Sequence, residues 1–190
     1  LDDTTVAQPL LFAIQVALTM LLRERGIEAD AVAGHSAGEV AAAWACGALS
    51  LGQTALLICA RSAAQGKARG TGRMAAVGLT ESAARELLAA EQLAGLEISG
   101  VNGPGNVTVS GDLASLDRLK ALLAPRNLFY RLLEFDYAFH SRSMEPIKGD
   151  LFARLKTLAP VPSVAPDGPI FVSTVTGTAM PGSALGARYW

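Results

Sequence analysis

Apolar side chains recur at Leu10, Leu11, Ile14, Ala17, Leu18, Leu21 and Leu22. That spacing lines one face of a 3.6-residue period and predicts a helix over residues 5–25, stopped by Gly26. The apolar run Pro9 to Leu22 is interrupted by Gln15 and Thr19 and closed by Arg23-Glu24-Arg25. It is short for a bilayer span and is expected to be a buried helix. Ala31-Val32-Ala33, closed by glycine, predicts a buried strand. Helical spacing returns over Ala37–Cys46, ended by Gly47, and again from a Ser50 cap to about Gln65. Helix, strand, helix in this order implies an α/β core with a parallel sheet.

Gly66, Gly70 and Gly72 form a linker, after which the pattern changes. Met74–Leu79 predicts a strand, Glu81–Glu91 a helix, and Leu96–Val101 and Val107–Ser110 two strands around Asn102-Gly103-Pro104-Gly105-Asn106. Asp112 is the expected N-cap of a helix reaching Leu123, and Leu128–Glu134 a further strand. The order β-α-β-β-α-β fits a ferredoxin-like small subdomain over 73–135, inserted into a core made of 1–72 and 136–190. Such an insertion would put a cleft at the junction. Residues 158–169 read as a proline-rich loop, and Ile170–Val175 as a strand of the core.

Composition narrows the class. The chain has 190 residues, 51% hydrophobic and 17% charged, enough for a sizeable core and too apolar for disorder. A net charge of −1 carries no basic footprint for nucleic acid or an anionic membrane. Cys46 and Cys59 both lie in apolar helical sequence and are expected to be buried free thiols of a cytoplasmic protein. The chain opens on Leu1-Asp2-Asp3 without a methionine and stops at Tyr189-Trp190, as expected of a fragment truncated at both ends.

The chemistry centres on Gly34-His35-Ser36-Ala37-Gly38, set between the predicted strand and helix. Gly-x-Ser-x-Gly in that context is the nucleophile elbow of an α/β-hydrolase-like core. The turn is tight, so glycine is expected on both sides of Ser36, and the N–H groups opening the helix favour an oxyanion. A serine nucleophile needs a base, and the chain has two histidines, His35 and His140. His35 should point away from Ser36 by strand alternation, as a packing histidine bonded to backbone. His140 is the remaining partner. A hydrolase would also need an acid to hold the histidine. Asp136 and Asp117 are the nearest candidates, without a spacing argument.

These residues resemble the acyltransferase domains of modular polyketide synthases, relatives of malonyl-CoA:acyl carrier protein transacylase. Gly34-His35-Ser36-Ala37-Gly38-Glu39 resembles the family's Gly-His-Ser-x-Gly-Glu, and Gln8-Pro9 its Gln-Pro helix start. Arg61-Ser62 falls where the family places its carboxylate-binding arginine. Val101-Asn102-Gly103-Pro104, with Val107–Gly111, resembles the small-subdomain hairpin. Tyr137-Ala138-Phe139-His140-Ser141 resembles the motif holding the general base. Phe171–Gly177 and Tyr189-Trp190 resemble later landmarks, so the likeness covers essentially the whole chain.

The resemblance implies ping-pong acyl transfer. Ser36 would take an acyl group from acyl-CoA, with His140 as base, and pass it to the phosphopantetheine thiol of an acyl carrier protein. It implies no cofactor bound to this domain, no metal, and an adjacent ketosynthase on the same polypeptide. Arg61 would hold the carboxylate of a malonyl or alkylmalonyl unit, malonyl-CoA or methylmalonyl-CoA being the donor. Arg61 shares a predicted helix face with Leu57 and Ile58. Gln8, His35, Ala37, Tyr137 and Phe139 complete the expected substrate site, with Gln8 orienting the cleft and the Ala37 N–H facing the oxyanion. Tyr137-Ala138-Phe139-His140 is a hybrid of the family's Tyr-Ala-Ser-His and His-Ala-Phe-His, which accompany methylmalonyl and malonyl. The Phe139 ring fills space that a serine would leave for an α-methyl, which favours malonyl.

Overall fold

The computed structural model describes residues 3–161 and 168–190. The expected proline-rich loop lies partly outside them, at 162–167. Asp3 Oδ1 accepts from the Thr5 N–H at 2.8 Å and caps α1 (Thr4–Glu24). Pro9 therefore sits inside the helix, a full turn beyond its start, rather than at the start as the Gln-Pro motif suggested. Phe12 and Val16 are buried, but Leu10, Leu11, Ile14, Leu18, Leu21 and Leu22 are exposed, so the expectation of a buried helix is corrected. Apolar residues lie on nearly every side of this segment, and periodicity alone could not choose the face that α2 (Gly38–Ala45) and α3 (Leu51–Gly66) cover. The helix is long and apolar enough to cross a membrane by length and composition alone. Here it packs on α2 and α3.

β1 (Ala31–Ala33) pairs in parallel with β6 (Ile170–Val172), Val32 opposite Phe171. A short β7 (Ala179–Met180) adds to β6 in the antiparallel sense, so this sheet is mixed where a parallel one was expected. β1 is its edge strand among the described residues. Ala31 and Ala33 are exposed, which corrects the buried strand. α2 is closely packed, with Val40 and Ala43 fully buried. α3 starts in a capping box: the Gln53 N–H donates to Ser50 Oγ at 3.2 Å and the Ser50 N–H to Gln53 Oε1 at 2.9 Å. Leu57, Ile58 and Arg61 lie on its buried face, while Cys59 faces solvent. Of the two thiols only Cys46 is buried, since Cys59 falls on the opposite side of α3. These elements belong to one compact unit, 3–66 with 149–190.

The second unit spans Lys67–Lys148. β2 (Arg73–Val77), β3 (Leu96–Gly103), β4 (Asn106–Gly111) and β5 (Tyr130–Leu132) form an antiparallel sheet in the order β3-β4-β2-β5. Alternate residues Ala75, Val77, Val107 and Val109 face Ala84 and Leu87 of α4 (Glu81–Ala90), and Leu116, Leu119 and Leu123 of α5 (Leu113–Leu123). The period of two on the sheet and the 3.6 period on the helices thus bury one shared core. The unit is wider than 73–135. The Gly70 N–H donates to the Asp136 carbonyl at 2.9 Å, Arg73 pairs with Asp136 at 3.2 Å, and Arg142 pairs with Glu97. Those contacts bind both flanking segments to the sheet. α6 (Glu145–Leu155) is absent from the sequence reading because Pro146 and Gly149 obscure it, although Ile147, Leu151 and Leu155 follow helical spacing and are buried.

Asp112 caps α5, accepting from the Ser115 N–H at 2.8 Å, and these hydrogen bonds hold its carboxyl below the usual carboxylate range. Asp112→Ala in the full-length protein is expected to cost about 1 kcal/mol in urea denaturation at pH 7. The folded pKa is depressed. The difference between the two proteins should therefore persist above about pH 4 and vanish as pH falls through the folded value.

Candidate active site

The chain leaves β1 at Ala33 and enters α2 at Gly38, leaving four residues for the turn. Ser36 holds φ 53, a left-handed conformation uncommon for any residue but glycine, asparagine or aspartate. The helical ladder starts at once: Gly38 N–H donates to the His35 carbonyl and Glu39 N–H to the Ser36 carbonyl, each at 3.0 Å. A Cβ on Gly34 would lie 2.1 Å from the Gly38 carbonyl carbon and 2.3 Å from the Glu39 nitrogen. Glycine is obligatory there because the obstruction is backbone. At Gly38 a Cβ would meet only Gln15 Nε2 at 3.5 Å, an ordinary contact. The expectation of steric need on both sides of Ser36 therefore holds for Gly34 alone.

Arg61 approaches from α3. Its Nη2 donates to Ser36 Oγ at 3.0 Å, and its Nη1 to Gln8 Oε1 at 2.5 Å and Gln65 Oε1 at 3.2 Å. Gln8 Nε2 donates to Gln65 Oε1 at 2.6 Å and also to Thr4 Oγ1. Two amides from different helices thus clamp one guanidinium beside the serine. Arg61 is 7% exposed, and all three acceptors are neutral. Burial pushes its pKa down to about 10, opposed by the field of Glu39. It therefore remains a cation at neutral pH, in a setting where charge is poorly screened.

Glu39, 4% exposed, is the nearby carboxylate. Its Oε1 accepts from the Thr174 N–H at 2.7 Å and the Thr174 hydroxyl at 2.9 Å, and its Oε2 from Tyr189 Oη at 2.8 Å. Thr174 Oγ1 also lies 2.9 Å from the Gly34 carbonyl. Burial, and the Glu39 carboxylate, push the Tyr189 pKa up to about 12.

The second unit carries Tyr137, Phe139 and His140. Tyr137 is buried, and its ring stacks on Phe139 at 4.8 Å with 9° between planes. His140 is exposed at φ 57, in a turn where Ser141 Oγ donates to the Ala138 carbonyl at 2.7 Å. Asp136 is paired with Arg73. His35 is exposed, which corrects the packing histidine: it occupies the turn after β1, beyond the strand alternation used to orient it. The structure brings Gln8, Ser36 and Arg61 together, with Ala37 next in the elbow. Sequence reasoning missed Gln65 and gave no role to Glu39, Thr174 or Tyr189. Gln65 left a trace four residues after Arg61 on the same helix face, and Glu39, Thr174 and Tyr189 lie in motifs the family resemblance picked out without giving them a role.

The family model described as "Acyl transferase domain" matches residues 1–190. "Polyketide synthase GfsB" of Streptomyces halstedii is 42% identical over 191 residues, covering 100% of this chain and 3% of that protein. "Erythronolide synthase EryA2" of Saccharopolyspora erythraea is 41% identical, covering 100% and 5%. The acyltransferase domain from module 8 of the salinomycin polyketide synthase superposes with TM-score 0.93 and 37% identity, covering 100% of this chain and 44% of that one. Malonyl CoA-acyl carrier protein transacylase from Burkholderia pseudomallei gives TM-score 0.84 and 27% identity, covering 95% and 61%. The chain thus spans a small part of these curated relatives and less than two thirds of these two solved structures.

The two elbow glycines should separate by mutation. Gly34→Ala is expected to destabilise the full-length protein by about 3 kcal/mol or more, because backbone must move. Gly38→Ala should be neutral or stabilising by up to about 1 kcal/mol, since alanine is the better helix former. Denaturant titration of the two variants is the check.

Proposed function

Taking as premise that the chain belongs to the acyl transferase domain family, we propose that it moves a malonyl unit from CoA to the phosphopantetheine thiol of an acyl carrier protein. Ser36 is the nucleophile and His140 the base. Ser36 Oγ attacks the thioester carbonyl while its proton passes to His140. The tetrahedral oxyanion is met by the Ala37 N–H at the start of α2. Collapse expels the CoA thiolate, which takes the proton from His140. The carrier thiol then repeats the sequence in reverse, losing its proton to His140 and leaving with the acyl group.

The observation that carries this reading is Arg61. A buried cation 3.0 Å from Ser36 Oγ, bonded among the described residues to neutral oxygens, is an expensive arrangement for a plain thioester. It suits an acyl group that brings its own carboxylate, which the planar guanidinium can take bidentately. Gln8 and Gln65 hold the guanidinium in place. The stacked Phe139 and Tyr137 rings favour malonyl over methylmalonyl. Donor and carrier act as substrates, with no resident cofactor. A ketosynthase on the same polypeptide is the expected neighbour and the cytoplasm the expected location. In this reading the first unit is an α/β-hydrolase-like core. The strand order β3-β4-β2-β5 with two helices supports a ferredoxin-like insertion.

Radiolabelled malonyl-CoA should label the full-length protein at Ser36, and Ser36→Ala should take no label; equal labelling of the variant would exclude this mechanism. Arg61→Ala should cut malonyl loading about a hundred-fold while acetyl loading changes little. With its pKa near 10, Arg61 keeps its charge from pH 6 to 9, so malonyl affinity should show no titration from this group in that range. Phe139→Ser should raise the methylmalonyl-to-malonyl kcat/KM ratio roughly ten-fold or more.

A further inference from the structure

We propose that Glu39 is a positioning residue for acyl transfer at Ser36, holding the turn after β6 and the Tyr189 ring against the nucleophile elbow. The assignment rests on the reading of Ser36 as nucleophile. Glu39 lies in the first turn of α2, where a carboxylate is favoured by the helix dipole, and its N–H already closes the elbow onto the Ser36 carbonyl. From there its side chain reaches residues 135 and 150 positions away.

The hydrogen bonds run in one direction. The N–H groups of Val175 and Thr176 donate to Ser173 Oγ at 3.1 and 3.2 Å. Tyr189 gives its single proton to Glu39 Oε2, so the 2.6 Å contact between Ser173 Oγ and Tyr189 Oη is donated by the serine. The chain therefore ends on the Glu39 carboxylate, the one group in it that accepts without donating. Thr174 adds its N–H to Oε1, and its hydroxyl proton serves either Glu39 or the Gly34 carbonyl. Gly34 and Ser36 are the two residues whose backbone is most constrained in the elbow. Glu39 thus binds both sides of the turn that aims the Ser36 hydroxyl. Its negative charge also opposes the burial that would otherwise lower the Arg61 pKa further.

A glutamine at this position keeps the Oε1 acceptor. Its amide can also donate to the Tyr189 hydroxyl; alanine can do neither. In the full-length protein, single-turnover labelling of Ser36 by malonyl-CoA and by acetyl-CoA is to be measured per folded molecule, with folding followed by circular dichroism. Glu39→Ala should slow labelling by both donors at least ten-fold, at saturating donor, since a misaimed nucleophile costs rate rather than affinity. Glu39→Gln should restore the acetyl rate to within about threefold. Thr174→Val and Tyr189→Phe, each removing one part of the clamp, should give intermediate losses in kcat. If Glu39→Ala labels at the wild-type rate, if Glu39→Gln is as slow as Glu39→Ala, or if the losses appear only in KM, Glu39 is not a positioning residue. Absence of label on the unaltered protein would instead overturn the nucleophile reading, and this one with it.

Discussion

A buried guanidinium held 3.0 Å from a serine hydroxyl is the interaction around which the site is built. Removing such a charge from water costs several kcal/mol unless other groups compensate. Two amides, Gln8 and Gln65, supply hydrogen bonds without neutralising the charge, and Glu39 supplies a field without occupying the guanidinium. The cation is thereby tolerated without being neutralised by a salt bridge. Replacing either glutamine with a carboxylate would form a salt bridge and neutralise the guanidinium.

The elbow imposes the second constraint. Ser36 sits at positive φ because β1 must turn into α2 within four residues, and only an unsubstituted Gly34 lets the first turn of α2 close over it. Such strain persists only where the surroundings over-determine it. Here they do so through the parallel pairing of β1 with β6, the ladder of α2, and the clamp that joins residue 39 to 174 and 189. The same carboxylate therefore takes part in both the electrostatic and the backbone constraint.

Much of this was readable from local pattern. Helix and strand positions follow period and caps, because caps act within three residues: Asp112, Ser50 and their partners are adjacent in the chain. The elbow was legible for the same reason. Exposure was not. Leu10, Leu18 and Leu22 fit a buried helix by composition, yet which side of α1 is covered depends on where α2 and α3 lie. Cys59 and Ala31 failed likewise, and α6 was hidden by Pro146 and Gly149 despite its buried Ile147, Leu151 and Leu155.

The sequence by itself determined the order of the elements up to β5, the serine-bearing turn and the family motif that points to Arg61, since each is written in residues close together or in a spacing a family repeats. Tertiary structure decided which partners meet. Gln8 reaches Arg61 across 53 positions and Glu39 reaches Tyr189 across 150. A hydrogen bond acts over about 3 Å whatever the separation along the chain. No local pattern encodes it, and only the packed helices and the paired strands bring its ends together.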